Sequence, residues 1–186
     1  MLVNEREKTA CRVDMNMTGL YNVQNSLCAI AMVTALGFDM TECAKALSDL
    51  DGVDGRMNVV YRGDFTVITD YAHTDDALIK VLSTLKPLTK GRLICVFGAA
   101  GDRDKEKRPM MAKAAEDNAD ILVITSDNPA HENPDEIIRE VMTGISGKKP
   151  CRCITDRREA IAYALDTARK DDVIILCGKG HETYQI

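Results

Sequence analysis

Residues 92–109 read RLICVFGAAGDRDKEKRP. Leu93, Ile94, Cys95, Val96 and Phe97 form an unbroken apolar run, the pattern of a strand covered on both faces. Gly98 and Gly101 then permit a turn in which backbone can come close to a ligand. A charged segment from Asp102 to Arg108 follows, and Pro109 predicts the opening of a helix. A buried strand that empties into a glycine turn is where an open α/β sheet takes small molecules. The loop at 98–108 is therefore the candidate substrate loop.

Outward from this stretch the chain alternates strand and helix. Strands are predicted at 65–69, 121–125, 151–154 and 173–177, and helices at 75–86, 109–118 and 156–169. Asn133-Pro134-Asp135-Glu136 predicts one more helix start, with a cap, a proline at the first position and an acid after it. The alternation gives the fold class: a Rossmann-like α/β domain over 52–186, its sheet mostly parallel with helices on both faces. The turn-rich DGVDGR at 51–56 marks the domain boundary. Before it, Leu20, Val23, Leu27, Ile30, Ala31 and Ala35 recur at helical spacing up to Gly37, and a second helix is predicted from Thr41. Residues 8–17 predict one edge strand. These helices have no sheet of their own, so 1–51 read as a helical remnant, the last part of a domain whose body is elsewhere.

Composition narrows the function. A net charge of -5 with no basic run argues against nucleic acid or an anionic membrane as partner. No segment is long and apolar enough to span a bilayer, and Met1-Leu2-Val3-Asn4-Glu5 does not open a signal peptide, so a cytoplasmic location is expected. The seven cysteines are odd in number and lie mostly in apolar runs, which reads as reduced, buried thiols. Cys151 and Cys153 form a C-x-C pair without further partners, and the histidines lack ligand spacing, so no metal site is expected.

Four polar clusters come directly after strands: DYAHTDD at 70–76, the 98–108 loop, SDNPA at 126–130 and GKGHE at 178–182. A parallel sheet gathers such loops at its carboxyl edge. Singly, each reads as a solvated loop. Four together, each pairing charged or imidazole groups with glycine or proline, point to a site. His73 alone reads equally as a capping or core histidine, and Lys105, Glu106 and Lys107 as a solvated face.

DYAHTDD, GAAGDRDKEKR, TSDNPA and GKGHETYQ, in this order and spacing, resemble the Mur ligases of peptidoglycan synthesis. Within that family the resemblance is strongest to the branch that adds the third amino acid to UDP-N-acetylmuramoyl-L-alanyl-D-glutamate. GLYNVQN at 19–25 and Gly55-Arg56 fit its central domain. The family implies a domain for the UDP-sugar, a central ATPase and a Rossmann-like C-terminal domain. It also implies that ATP phosphorylates the peptide carboxylate and that the amine of the incoming amino acid attacks the acyl-phosphate. This chain resembles the end of the central domain, 1–51, and most of the C-terminal one, 52–186. No G-x-x-x-x-G-K-[ST] loop is present. ATP and Mg2+ are therefore expected to serve a longer enzyme, with nothing tightly bound here, no catalytic residue in this stretch, and little activity from it alone.

By position, the resemblance implies that Asn22, Asn25, Arg56 and Asp70 surround the adenine and ribose, with His73 near the nucleotide. Arg103 matches the arginine that pairs with the α-carboxylate of the incoming amino acid, and a planar fork suits that task. Asp127, Asn128, Gly178 and Glu182 match residues around the rest of that amino acid. Three departures stand out. Asp75 replaces a proline, Ala99 and Ala100 replace a cysteine and a glycine, and Ala130 stands where diaminopimelate-adding members carry arginine. Diaminopimelate has a second carboxylate that needs a cation, and Ala130 supplies none. Asp127 and Glu182 instead suit an ammonium, so L-lysine or ornithine is expected rather than diaminopimelate.

Three other readings compete. A dinucleotide-binding oxidoreductase would use Gly98-x-x-Gly101, but the third glycine is missing and Lys105, Lys107 and Arg108 crowd the helix start. A non-catalytic binding module gains from the missing phosphate loop. Another ligase of the superfamily, for cyanophycin or folylpolyglutamate, is opposed by GKGHE and DNPA.

Overall fold

The computed structural model describes residues 2–4, 9–50, 52–180 and 182, and the chain divides into two units, Met1–Val53 and Asp54–Ile186. In the first unit, strands β1 (Leu2–Asn4) and β2 (Thr9–Cys11) pair antiparallel. Two helices follow, α1 (Leu20–Ala35) and α2 (Met40–Ser48). The strand expected over 8–17 is only β2, and its partner β1 was not foreseen. The second helix starts one residue before Thr41 because Asp39 caps it, its carboxylate accepting from the N–H groups of Thr41 and Glu42 at 2.8 and 3.1 Å. The helix expected from the spacing of Leu20, Val23, Leu27 and Ile30 forms, with Leu20, Val23 and Leu27 exposed and Asn22, Ser26 and Ile30 buried. Spacing marks an apolar face; what lies against it decides burial.

The second unit is built on a six-stranded sheet of order β3-β4-β8-β5-β6-β7. Its elements are β3 (Asn58–Arg62), β4 (Thr66–Asp70), α3 (Asp75–Leu85), β5 (Leu93–Phe97), α4 (Lys107–Asn118), β6 (Ile121–Ile124), α5 (Pro134–Met142), β7 (Cys151–Cys153), α6 (Arg157–Thr167) and β8 (Val173–Cys177). β3 and β4 form an antiparallel hairpin, and every other neighbouring pair is parallel. The five residues of β5 are all buried, as their run of apolar side chains requires.

Chirality decides where the helices go. The connections from β4 to β5, β6 and β7 advance across the sheet in one direction, whereas that from β7 to β8 returns. Right-handed crossovers then put α3, α4 and α5 on one face and α6 alone on the other. The two hydrophobic clusters agree. One joins Leu78, Leu82, Met111, Ala115, Ile138 and Val141 to Cys95, Phe97 and Leu122. The other joins Ala160 and Ala164 to Ile94, Val96, Val123 and Ile174.

Local chemistry sets the helix ends. Thr74, Asn133 and Asp156 cap α3, α5 and α6 with their side-chain oxygens. α4 begins at Lys107, so Pro109 is its third residue rather than its first. Near its far end Glu116, 3% exposed, accepts from the backbone N–H groups of Ser146, Gly147 and Lys148 and from the Ser146 hydroxyl. Those bonds, the Ser146 hydroxyl first, lower its pKa to about 2. At the amino edge of the sheet Asp172 takes hydrogen bonds from the backbone N–H, Nε and Nη2 of Arg92, which staples β8 to β5.

Candidate functional site

The carboxyl ends of β4, β8, β5 and β6 lie side by side, so the four polar loops are neighbours along one edge. This is the crevice where open parallel sheets bind ligands. Two of the loops are locked back to back. The Gly101 N–H donates to the Asn128 carbonyl at 2.8 Å, and a Cβ at 101 would stand 1.8 Å from the Pro129 carbonyl oxygen. Only glycine lets the two backbones approach so closely.

Each loop then turns through a left-handed residue, Asp102 with φ of 53° and Ala130 with φ of 50°. Glu132 holds both turns. Its backbone N–H donates to the Pro129 carbonyl at 3.0 Å, and its Oε1 accepts from the Asp102 N–H at 2.7 Å. Beneath it Arg108, 1% exposed, forks onto both Glu132 oxygens at 2.7 and 2.9 Å. Arg108 also donates to Glu140 at 2.5 Å and to the Ala100 carbonyl at 3.2 Å. Lys105 adds ion pairs to Glu132 at 3.0 Å and Glu140 at 3.6 Å, so this residue, read as solvated, belongs to a network. The Arg108 fork, then Lys105, holds the Glu132 carboxyl far below the usual carboxylate range. His131 Nδ1 sits 2.5 Å from the Asp102 carboxylate, whose hydrogen bond and charge raise the imidazole pKa.

The six residues expected around the amino acid lie on three adjoining loops. Arg103 and Ala130 are exposed, each next to a held turn, and Asn128 is half-buried. Asp127 is 5% exposed and accepts from the Asn128 N–H at 2.8 Å. Gly178 has φ of 95°, and a Cβ there would lie 2.7 Å from Asp127 Oδ2. The Gly180 N–H donates to Glu182 at 2.7 Å. Lys179 was not foreseen: its Nζ reaches Asn128 Oδ1 at 2.8 Å and Asp127 Oδ1 at 3.2 Å. Asp127 therefore already has a cationic neighbour. Arg157, also unforeseen, ties β8 to the end of β6 by donating to the Cys177 carbonyl at 2.6 Å and the Ser126 carbonyl at 3.4 Å.

The nucleotide set divides. Arg56 lies over the Tyr71 ring at 4.7 Å, and Tyr71 meets the His73 ring edge-on at 4.8 Å, so the structure joins Arg56 and His73 through a tyrosine not singled out. His73 Nδ1 faces the Tyr71 carbonyl at 2.8 Å and is therefore its protonated nitrogen. Asp70 is a backbone brace, one carboxylate oxygen accepting from Met57 N–H and the other from Ala72 N–H, both at 2.8 Å. Asn22 and Asn25 belong to the other unit. Asn22 is buried and donates to the Thr18 carbonyl at 2.8 Å, and Asn25 is exposed. His181 and residues 183–186 lie outside the described residues.

The expected residues that approached one another were legible because the order of the motifs carried them. Lys179, Tyr71, Arg157 and the Arg108–Glu132 pair were not, since their partners lie on other loops. Among the described residues no group of three or more His, Cys, Asp and Glu could hold a metal ion, and no helix is long and apolar enough to cross a membrane. Two apolar hollows, of about 410 Å³ between α1 and α2 and about 480 Å³ beside α6, are lined by no residue of this site.

Comparison with known proteins adds a second line of argument. Residues 55–180 match the family described as Mur ligase, glutamate ligase domain. A protein of Caldanaerobacter subterraneus subsp. tengcongensis named UDP-N-acetylmuramoyl-L-alanyl-D-glutamate–2,6-diaminopimelate ligase is 50% identical over 176 residues, which are 94% of this chain and 36% of that protein. A solved structure of a ligase of the same name is 41% identical, with a TM-score of 0.70 over 93% of this chain and 36% of the other. The fold is also that of a Mycobacterium tuberculosis folylpolyglutamate synthase, 18% identical, TM-score 0.72, over 90% of this chain and 39% of the other. The chain thus spans about a third of the length of the relatives it matches.

Proposed function

The chain belongs to the Mur ligase family, and from that premise we propose that it is the amino-acid-binding part of an ATP-dependent ligase of peptidoglycan synthesis. The ligase would add the third amino acid to UDP-N-acetylmuramoyl-L-alanyl-D-glutamate, in the cytoplasm. The observation that carries this reading is the locked pair of loops at the sheet edge, with Arg103 beside one held turn and Asn128 and Ala130 in the other. An arginine fork on a fixed turn suits an α-carboxylate. A carboxylate held there leaves the adjoining α-amine to face an activated acyl group, and fixing that geometry is itself a large part of the rate. The Arg56–Tyr71–His73 stack and Asp70 are the groups proposed to lie nearest ATP. ATP and Mg2+ are proposed for the longer enzyme, and no metal is assigned to this chain's residues.

For the amino acid's far end we favour L-lysine, because Ala130 brings no cation to meet a second carboxylate. A second reading, diaminopimelate, is favoured by the names of the relatives. Lys179 also speaks for it, as its ammonium offsets the charge of Asp127. Titrating the labelled chain with L-lysine, ornithine and diaminopimelate by NMR tests both readings. Saturable shifts at Arg103, Asn128 and Gly178 are expected, and L-lysine is expected to bind tightest. Arg103→Ala is expected to weaken binding by on the order of 2–5 kcal/mol, leaving a bound carboxylate without its partner. Unchanged affinity in that variant would remove Arg103 from the site.

A further inference from the structure

We infer that Glu132, held by the buried fork of Arg108, is a positioning residue that sets the two amino-acid-binding turns as one unit. This rests on the reading above that Arg103 and the 127–130 turn receive the amino acid. Arg108 is buried, and the Glu132 carboxylate is taken up by Arg108, Lys105 and the Asp102 N–H.

The geometry converges on one carboxylate. Glu132 Oε1 takes the N–H of Asp102 at 2.7 Å, the residue just before Arg103. The Glu132 N–H closes the turn through Ala130 by donating to Pro129. Both turns pass through left-handed residues that carry a Cβ, Asp102 and Ala130, a conformation that side chains disfavour and that persists only where the surroundings impose it. Arg108 adds the third constraint, since its Nη2 bonds the Ala100 carbonyl at the start of the first turn while its fork grips Glu132. Three anchors along 100–102 and 129–132 thus meet at one ion pair. Arg108 lies in α4 and Glu140 in α5, so the reference frame for the turns is the packed helical layer. Removing the charge on Glu132 weakens its hold on the Asp102 N–H and leaves the buried guanidinium with only Glu140 and the Ala100 carbonyl.

Misplacing a binding group by a fraction of an ångström costs affinity out of proportion to fold stability. The test compares the chain with Glu132→Gln and, as a milder change, Glu132→Asp, whose shorter arm retains charge but cannot hold Asp102 and Arg108 together. Glu116→Gln serves as control, because it releases the buried loop at 146–148, on a different part of α4. Amide spectra, melting curves and affinity for L-lysine and diaminopimelate are read for each.

Glu132→Gln is expected to move the amide signals of 101–103 and 128–131 together and to weaken amino-acid binding roughly tenfold or more. Glu132→Asp is expected to fall between it and the parent, and Glu116→Gln to stay within about twofold of the parent. Should Glu132→Gln not fold, Glu132→Asp carries the same comparison. Affinity within twofold of the parent in Glu132→Gln, or an equal loss in Glu116→Gln, would overturn the inference. If the parent chain binds neither amino acid, it is the parent reading that fails. The coupling is then judged on the amide signals alone: shifts confined to one turn refute it, shifts in both support it.

Discussion

In the proposed reading, substrate choice turns on Ala130. It is exposed and left-handed, so any side chain with a Cβ meets the same backbone cost there, and arginine adds none beyond alanine. In that reading Ala130→Arg is expected to bring a fork toward a second carboxylate and a positive charge toward a lysine ammonium. The ratio of diaminopimelate to L-lysine affinity is expected to rise about tenfold, which is roughly 1.4 kcal/mol. Competition titration of the chain with both amino acids measures it, and a ratio that does not move puts position 130 outside the pocket. Residues of this kind were legible in the sequence because motif order carried them. Lys179 was read only as part of a glycine-flanked motif. That its ammonium would turn onto Asp127 and Asn128 depends on which strand β8 lies beside, and strand order is not written in spacing.

At the scale of elements, the clearest dependence on pH belongs to the α4–loop clamp. The Glu116 carboxyl has a folded pKa of about 2, below the ordinary value of 4.5. A carboxyl lowered on folding stabilises fully above its unfolded pKa, and that contribution is lost as pH falls through the folded one. The clamp is therefore whole at pH 7 and loosens between about pH 4.5 and 2. Glu116→Gln is expected to lose about 2–3 kcal/mol at pH 7, the worth of hydrogen bonds to a charged group, and to converge on the parent at acid pH. Urea melts at several pH values decide it; a gap that is constant with pH would show that the charge is not what holds the loop. Most elements of the second unit were predictable because apolar runs and caps mark them. β3 was not. Its residues Val59, Val60, Tyr61 and Arg62 are all exposed, so neither alternation nor a buried run announced a strand, and only pairing with β4 makes it one.

For the whole molecule, both hydrophobic clusters lie entirely within Asp54–Ile186. Residues 54–186 made alone are expected to melt in one cooperative transition with dispersed amide signals, as a unit with its own core does. A non-cooperative melt would mean that the first unit is needed for folding. The chain divides into two units at 53/54, and the helix faces followed from handedness once strand order was known. Strand order has one more consequence, for how the chain reaches this state. The last strand among the described residues, β8, lies between β4 and β5 and pairs with both, Asp70 meeting Cys177 across most of the length from 54 to 186. Without β8 in place the sheet is two halves, each with an open edge. Closing them needs a loop far longer than any hairpin, so β8 docking is expected to be slow relative to hairpin formation, and a ribosome-bound chain halted before Val173 is expected to display two bare strand edges to anything that binds them.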